Sequence, residues 1–242
     1  SGPQDLRWVP VPSCNVDFGV NAINAPCSSA TAHVYTTCFV KSGSDPAAPT
    51  LVGMPFLFSS GSSPFKVAMQ SQTGSVWGLA WNRSTRELYS AAFVKFGAGL
   101  GPAGIGGIYA TDVQKQKTKT FADLAALGIP VGGPSASDPL QCAYADAVGK
   151  AGLGDMDISD DDRLLFVTNL YNKSLVIIPT ESPTAASIME FKIPDPGCNQ
   201  GDYAVGAVEY YNGRVYLGVT CTAESSRSKS NFFFHIYSFD LL

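Results

Sequence analysis

Most of the 242-residue chain alternates between short runs of β-branched or aromatic residues and turns rich in Gly, Pro, Asn, Asp and Ser. Apolar residues that recur at every second position are typical of strands that bury one face. Helical periodicity is nearly absent, and the best helix candidate is the segment 120–127 (TFADLAAL), which could equally belong to a loop. The pattern therefore predicts an all-β protein.

Three segments repeat one design, in which Gly opens a short alternating strand, a polar turn ends in Arg, and an aromatic strand follows. They are GLAWNRSTRELYSAAFV from Gly78, GDMDISDDDRLLFVTNL from Gly154 and GAVEYYNGRVYLGVT from Gly206. The run VYTTCFV from Val34 matches LYSAAFV from Leu88 as a fourth, degenerate copy. Units of about 40–50 residues are typical of β-propellers, whose four-stranded blades pack face to face around an axis.

The repeat predicts a single β-propeller domain over residues 1–242, with about five four-stranded blades of about 48 residues each. Recognisable blades span about 31–66, 75–125, 150–193 and 203–240. The fifth is expected from the N-terminal segment, closing against the C-terminus. One long insertion rich in Gly and Pro, residues 114–150, explains the wide spacing between the second and third copies. The small residues that open the copies suit crowded inner strands near the axis.

The segment DISDDDRLLFVTNLYNKSLVIIP, residues 157–179, resembles a blade of YVTN-type β-propellers, in which a Ser-Pro-Asp-Gly-like turn precedes a strand that ends in Val-Thr-Asn. Two longer stretches are similar to propellers of large secreted and surface proteins, in which the propeller often neighbours Ig-like repeats of the SdrD B type. They are WGLAWNRSTRELYSAAFVKFGAGLGPAGIGGIYATD from Trp77 and VGKAGLGDMDISDDDRLLFVTNL from Val148. The resemblance covers residues 75–179 and departs from the family where residues 160–162 (DDD) replace the usual Pro-Asp-Gly turn. The resemblance implies a propeller fold and an extracellular location. That family has no catalytic residues to carry over to this chain. Similarity to surface-filament proteins of the mastigoneme type is weaker.

Charged residues make up only 15% of the chain, and the formal net charge is −4, whereas a typical soluble domain carries about 25% charged residues. Low charge with many aromatic residues excludes intrinsic disorder. The sixteen basic residues are scattered along the sequence and do not form the basic patch that nucleic-acid binding requires. No apolar run approaches the length of about 18 residues that a membrane helix needs. Sparse charge favours association, so we expect copies of the chain or neighbouring surface-protein domains as partners.

Six cysteines favour an extracellular or cell-surface location over the alternative of six buried thiols in a cytosolic protein. The disulfide candidates are Cys14, Cys27, Cys38, Cys142, Cys198 and Cys221. Cys198 and Cys221 flank one predicted blade and could close a local loop, and Cys14 with Cys27 could tie down the N-terminal segment. The remaining two cysteines would then form a longer link across the insertion, which is one of fifteen possible pairings.

Two Asn-x-Ser/Thr sequons strengthen the extracellular assignment. They begin at Asn82 and Asn172, both at predicted turns beside strands, where an N-linked glycan would stay in water.

The chemical motifs in the sequence are weak. Residues 99–104 (GLGPAG) fit G-x-G-x-x-G, but a strand rather than a helix follows, so a hairpin loop is favoured over a dinucleotide site. The acidic cluster 155–162 lacks the calcium-loop spacing with a distal Glu, so a solvated turn is predicted. If calcium binds anywhere, Asp160 and Asp162 are the first ligands expected. We predict no metal site and no cofactor.

The sequence also offers no constellation for catalysis. No G-x-S-x-G elbow occurs, and His33 and His235 each lie in a predicted strand, as structural histidines would. Twenty acidic residues allow many carboxylate pairs for glycosidase chemistry, but none stands out. We therefore expect that the protein is not an enzyme and has no catalytic residues.

Three consecutive aromatic residues near the C-terminus predict an interface. Phe232, Phe233 and Phe234 cannot all face one side of a strand. At least one should point the other way, into an inter-blade contact by default or towards a partner.

These features favour a non-catalytic extracellular structural or adhesive glycoprotein module that builds a surface assembly or filament. The alternative is a carbohydrate- or ligand-binding secreted propeller, which would use the loops at one end of its blades. A secreted hydrolase or lyase is less favoured, although fold alone does not decide function.

Overall fold

The structure is a computed structural model and describes residues 33–40, 45–56, 63–134 and 137–240. Fourteen strands form four antiparallel sheets in this part of the chain. The predicted all-β class is confirmed. Within the same ranges, neither helix has the length and hydrophobicity to cross a membrane.

The elements follow one another sheet by sheet. Sheet 1 contains β1 (His33–Thr37), β2 (Pro49–Pro55) and β3 (Phe65–Met69). After α1 (Gln70–Thr73), sheet 2 contains β4 (Val76–Asn82), β5 (Glu87–Ala92), β6 (Gly107–Asp112) and β7 (Lys117–Asp123). After α2 (Cys142–Ala145), sheet 3 contains β8 (Leu153–Ile158), β9 (Leu164–Asn169), β10 (Ser174–Pro179) and β11 (Met189–Lys192). Sheet 4 contains β12 (Tyr203–Tyr211), β13 (Arg214–Cys221) and β14 (Phe233–Asp240).

Each sheet is an up-and-down meander in chain order, and the first strands of three sheets lie side by side. Strand β4 contacts β8, and β8 contacts β12. A β-propeller consists of consecutive antiparallel sheets whose first strands lie next to one another around an axis. The predicted fold class is therefore confirmed. Two of the described sheets have four strands and two have three. The fifth blade was predicted in the N-terminal segment, and residues 1–32 lie outside the described residues.

The sequence repeat corresponds to the first hairpin of sheets 2, 3 and 4. Its aromatic anchors sit on the second strand of each sheet, opposite a residue of the first strand. The pairs are Tyr89 with Ala80, Phe166 with Asp157, and Tyr216 with Glu209.

Three apolar layers fill the spaces between neighbouring sheets. In β9, Leu165 and Val167 face the layer shared with sheet 2, whereas Phe166 faces the layer shared with sheet 4. In β6, Ile108 faces sheet 3 and Tyr109 faces sheet 1. Strands covered on both faces need consecutive apolar residues, which explains runs such as LLFV and LVII in the sequence.

The segment 120–127, the best helix candidate, is not helical. Residues 117–123 form β7, which pairs with β6. The Phe121 ring packs edge-on against Tyr89, with 4.8 Å between ring centroids, and Ala122 is buried. Packing across the sheet therefore overrides the weak local helix signal.

The insertion after sheet 2 runs from residue 124 to residue 152, so its predicted start at residue 114 was too early. It packs on the end of sheet 2, where Tyr144 and Ala147 form a small apolar cluster with Val94. The Gly97 amide donates a hydrogen bond of 2.8 Å to the Pro139 carbonyl.

The inner strands approach one another backbone to backbone. A Cβ atom on Gly78 would lie 2.6 Å from the Gly154 carbonyl oxygen and 2.7 Å from the Met156 amide nitrogen. A Cβ atom on Gly154 would lie 2.4 Å from Thr168 Oγ1. The expectation of crowded small residues is thus confirmed at Gly78 and Gly154. At Gly206 the nearest contact would be an ordinary one, 3.9 Å from a Trp77 ring atom.

We predict that Gly78→Ala lowers the free energy of unfolding by about 1–3 kcal/mol, because the added methyl group would force β4 and β8 apart. Gly133→Ala is the matched control, since a Cβ atom there meets nothing within 4 Å. Chemical denaturation of both variants measures the difference. Equal stability of the two variants would contradict the close packing of the inner strands.

Candidate functional site

Two carboxylates of β8 hold the inner edge of β12 and so join sheet 3 to sheet 4. Asp155 Oδ2 accepts a hydrogen bond of 3.3 Å from the Val208 amide, and Asp157 Oδ2 accepts one of 2.6 Å from the Tyr210 amide. The two acids lie two residues apart in one strand and therefore share a face. In the sequence both acids belong to an acidic cluster, and their contact with β12 is not visible there because β12 is distant in the chain.

Partial burial changes the pKa values of the carboxyl groups at this contact between β8 and β12. It raises the pKa of Asp155 and of Asp157, although hydrogen bonds from backbone amides oppose the shift. The pKa of Glu209 on β12 is also raised, first by burial and then by the charges of Asp157 and Asp155. A carboxyl group whose pKa is higher in the folded state destabilises the fold while it is charged. The contribution of these carboxyl groups to the free energy of unfolding therefore rises as the pH falls through their raised pKa values.

We predict that Asp155→Asn raises the melting temperature at neutral pH, because the amide oxygen still accepts the hydrogen bond while the buried charge is removed. The gain should shrink as the pH falls, since Asp155 itself becomes neutral. Thermal unfolding across a pH series measures this, with the exposed Asp146→Asn as the control. A variant that is less stable than the wild type at neutral pH would contradict the destabilising charge.

The acidic turn between β8 and β9 joins sheet 3 to sheet 2. Asp162 is only 7% exposed and accepts hydrogen bonds from the Ser84 amide at 2.9 Å and the Ser84 hydroxyl at 2.7 Å. Arg83 contacts Asp162 at 3.5 Å and donates a hydrogen bond of 2.7 Å to the Asp160 carbonyl. Burial alone would raise the pKa of Asp162, but the hydrogen bonds from Ser84 and Arg83 outweigh it and lower the pKa.

The acidic side chains of this turn point to different partners. Asp161 accepts a hydrogen bond of 2.6 Å from Ser159 Oγ, which lowers its pKa, while Asp162 faces the neighbouring turn. Among the described residues, no group of three His, Cys, Asp or Glu side chains is arranged to hold a metal ion. Asp160 and Asp162, the first ligands expected for calcium, instead serve the contact with Arg83.

The two sequons lie in different environments. Asn82 ends β4 with its side chain turned inward and is only 2% exposed. Its amide nitrogen donates to the Asp162 carbonyl at 3.4 Å, and its oxygen accepts from the Thr85 amide at 2.8 Å. This burial argues against a glycan on Asn82 in the folded chain. Asn172 is half-buried in the turn after β9 and donates to Glu190 at 2.9 Å, and its glycosylation stays a prediction.

The cysteines divide into three groups. Cys198 and Cys221 form a disulfide, which joins the segment before β12 to the end of β13. Cys38 follows β1 and Cys142 begins α2, and both carry free thiols, so the longer link across the insertion is not formed. Cys14 and Cys27 lie outside the described residues.

The outer face of sheet 4 has an apolar part, which we call the terminal face and which comprises Ala207, Gly218, Thr220, Phe234 and Ile236. Further along the same face, Arg214 and Asp240 form an ion pair. Phe234 is 73% exposed and Ile236 is 75% exposed. These residues line a groove of about 570 Å³ together with Trp77 and Phe93, whose ring centroids lie 5.0 Å apart.

The three consecutive aromatic residues extend the exposed surface. Phe232, Phe233 and Phe234 are all exposed, so the inter-blade contact expected by default is absent from the described part of the chain. The Phe232 and Phe234 rings pack edge-on at 4.9 Å. The run of aromatics was the sequence signal for this surface, but its direction required the strand pairing.

Comparisons with known proteins give distant relatives. No family model matches the chain. Colossin-C of Dictyostelium discoideum is 27% identical over 227 residues, which cover 88% of this chain and 23% of that protein. Colossin-B of the same organism is 26% identical over 206 residues, which cover 82% of this chain and 5% of that protein. The chain thus spans less than a quarter of these relatives.

Solved structures are similar at low identity. A luciferin-regenerating enzyme matches with a TM-score of 0.47 and 15% identity, over 87% of this chain and 58% of that one. The PQQ-bound aldose sugar dehydrogenase of Streptomyces coelicolor matches with a TM-score of 0.38 and 13% identity, over 78% of this chain and 52% of that one.

Proposed function

We propose that the chain is a non-catalytic structural module of an extracellular or cell-surface protein, which assembles through the terminal face of sheet 4. The proposed occupant of this face is a second copy of the chain, in place of the fifth blade expected from the N-terminal segment, so that repeated contacts build a surface assembly or filament. The observation that carries the proposal is the exposure of Phe234 and Ile236 in a fold whose sheets 2 and 3 are covered on both faces.

Physical chemistry favours burial of this face. Each large apolar side chain contributes about 1.5–3 kcal/mol when it leaves water, and contiguous exposed apolar patches mark interaction surfaces. Strand β14 also has no strand partner on its outer side among the described residues, and open strand edges attract pairing with other chains. The small number of charged residues reduces the repulsion between copies.

Other observations support the location and the lack of catalysis. The Cys198–Cys221 disulfide suits an oxidising compartment, and Asn172 retains a sequon in a turn. The half-buried acids Asp155 and Asp157 accept hydrogen bonds from backbone amides, which is a structural role. The similarity to segments of much longer Colossin proteins supports a module within a larger protein.

We predict that the full chain self-associates and that Phe234→Ser with Ile236→Ser weakens association at least about tenfold, because two apolar anchors are lost. Sedimentation velocity across a dilution series measures the association. Leu140→Ser is the matched control, since Leu140 is an exposed apolar residue of the insertion. A wild-type chain that stays monomeric throughout the series would overturn the proposed assembly.

A further inference from the structure

A second concave surface lies between sheets 1 and 2, away from the terminal face. It is a cleft of about 610 Å³, within the range of small-molecule binding sites. Its main lining residues come from β1, β3, β4 and the turn after β4, and they are His33, Tyr35, Phe65, Trp81, Arg83 and Arg86. They are far apart in the sequence, so the sequence pattern does not group them.

One wall of the cleft is aromatic. The rings of Tyr35 and Trp81 are nearly parallel, with 14° between their planes and 6.1 Å between centroids. Phe65, which also lines the cleft, packs edge-on against Tyr35 with 6.3 Å between the ring centroids. Tyr35 and Trp81 both remain partly exposed. Rings held in this way offer flat apolar surfaces for the C–H face of a ligand ring.

The rim of the cleft is positively charged. Arg83 is anchored by the Asp160 carbonyl and by Asp162. Arg86 is exposed, and none of the ion pairs between described residues includes it. No Asp or Glu lines the cleft, although the chain has 20 acidic and 16 basic residues. Because Asp160 and Asp162 pair with Arg83, the unpaired positive charge at the cleft is that of Arg86.

We infer that the cleft binds an acidic saccharide. The planar guanidinium of Arg86 matches a carboxylate or a sulfate ester in two-point hydrogen bonding. The sugar ring packs on Trp81 and Tyr35, and the polar groups of His33 and Gln114 at the edge of the cleft face its hydroxyls.

The charge distribution distinguishes an acidic saccharide from nucleic acid. Binding to a phosphate backbone requires a stripe of several Lys and Arg residues. Here one unpaired Arg86 stands beside one Arg83 that already contacts Asp162. The cleft therefore suits a sugar ring that carries a single anionic group rather than a chain of phosphates.

Isothermal titration calorimetry of the full chain tests this inference with oligogalacturonate as the carboxylate probe and a chondroitin sulfate oligosaccharide as the sulfate probe. A neutral dextran oligosaccharide is the comparison. We expect at least one acidic probe to bind and the neutral one not to bind. The probe that binds with the higher affinity shows whether the cleft prefers a carboxylate or a sulfate ester.

The variant Arg86→Gln should weaken binding at least about tenfold, because it removes a charged hydrogen bond. Arg163→Gln is the matched control, since Arg163 ends the equivalent turn of sheet 3, is exposed and lies outside the cleft. Arg86→Lys should bind with intermediate affinity, because lysine keeps the positive charge but lacks the planar guanidinium that makes two parallel hydrogen bonds.

Three results would overturn the inference: no binding of either acidic probe, unchanged binding by Arg86→Gln, or equal losses in Arg86→Gln and Arg163→Gln. Unfolding curves of the variants show that each is folded. The saccharide test and the self-association test use different residues, so either can fail alone.

Discussion

The close approach of the inner strands is the constraint on which the rest of the structure depends. Strands β4 and β8 meet backbone to backbone at Gly78, and the Thr168 hydroxyl reaches the Gly206 carbonyl of the next inner strand at 2.8 Å. This spacing brings the middle strands of neighbouring sheets into apolar contact. It also places Asp155 and Asp157 within reach of the β12 edge. The contacts between sheets are therefore partly polar near the axis and apolar further out.

This arrangement explains why the terminal sheets differ from the central ones. Sheets 2 and 3 are covered on both faces, and their middle strands are nearly continuous runs of buried residues. In β14, half-buried and exposed residues instead alternate, because only one of its faces meets another sheet among the described residues. Phe234 and Ile236 break the rule that the solvent face of such a strand is polar, and that departure locates the proposed assembly surface.

The sequence predicted the features that depend on local pattern. The hairpin repeat, the all-β propeller and the crowding at Gly78 and Gly154 followed from alternation and from small residues at repeated positions. The strand at residues 117–123 was missed because its helix-like composition is overridden by pairing with β6. The inward turn of Asn82 and the cleft around Arg86 were also beyond the sequence, since both depend on contacts between residues far apart in the chain.

The inner strands hold the sheets together as one unit. Amide hydrogen exchange resolved by NMR tests this at Val208 and Tyr210, whose amides donate across the sheet boundary to Asp155 and Asp157. We expect these two amides to exchange as slowly as the amides in the centre of β9. Fast exchange at both positions, while β13 stays protected, would contradict it.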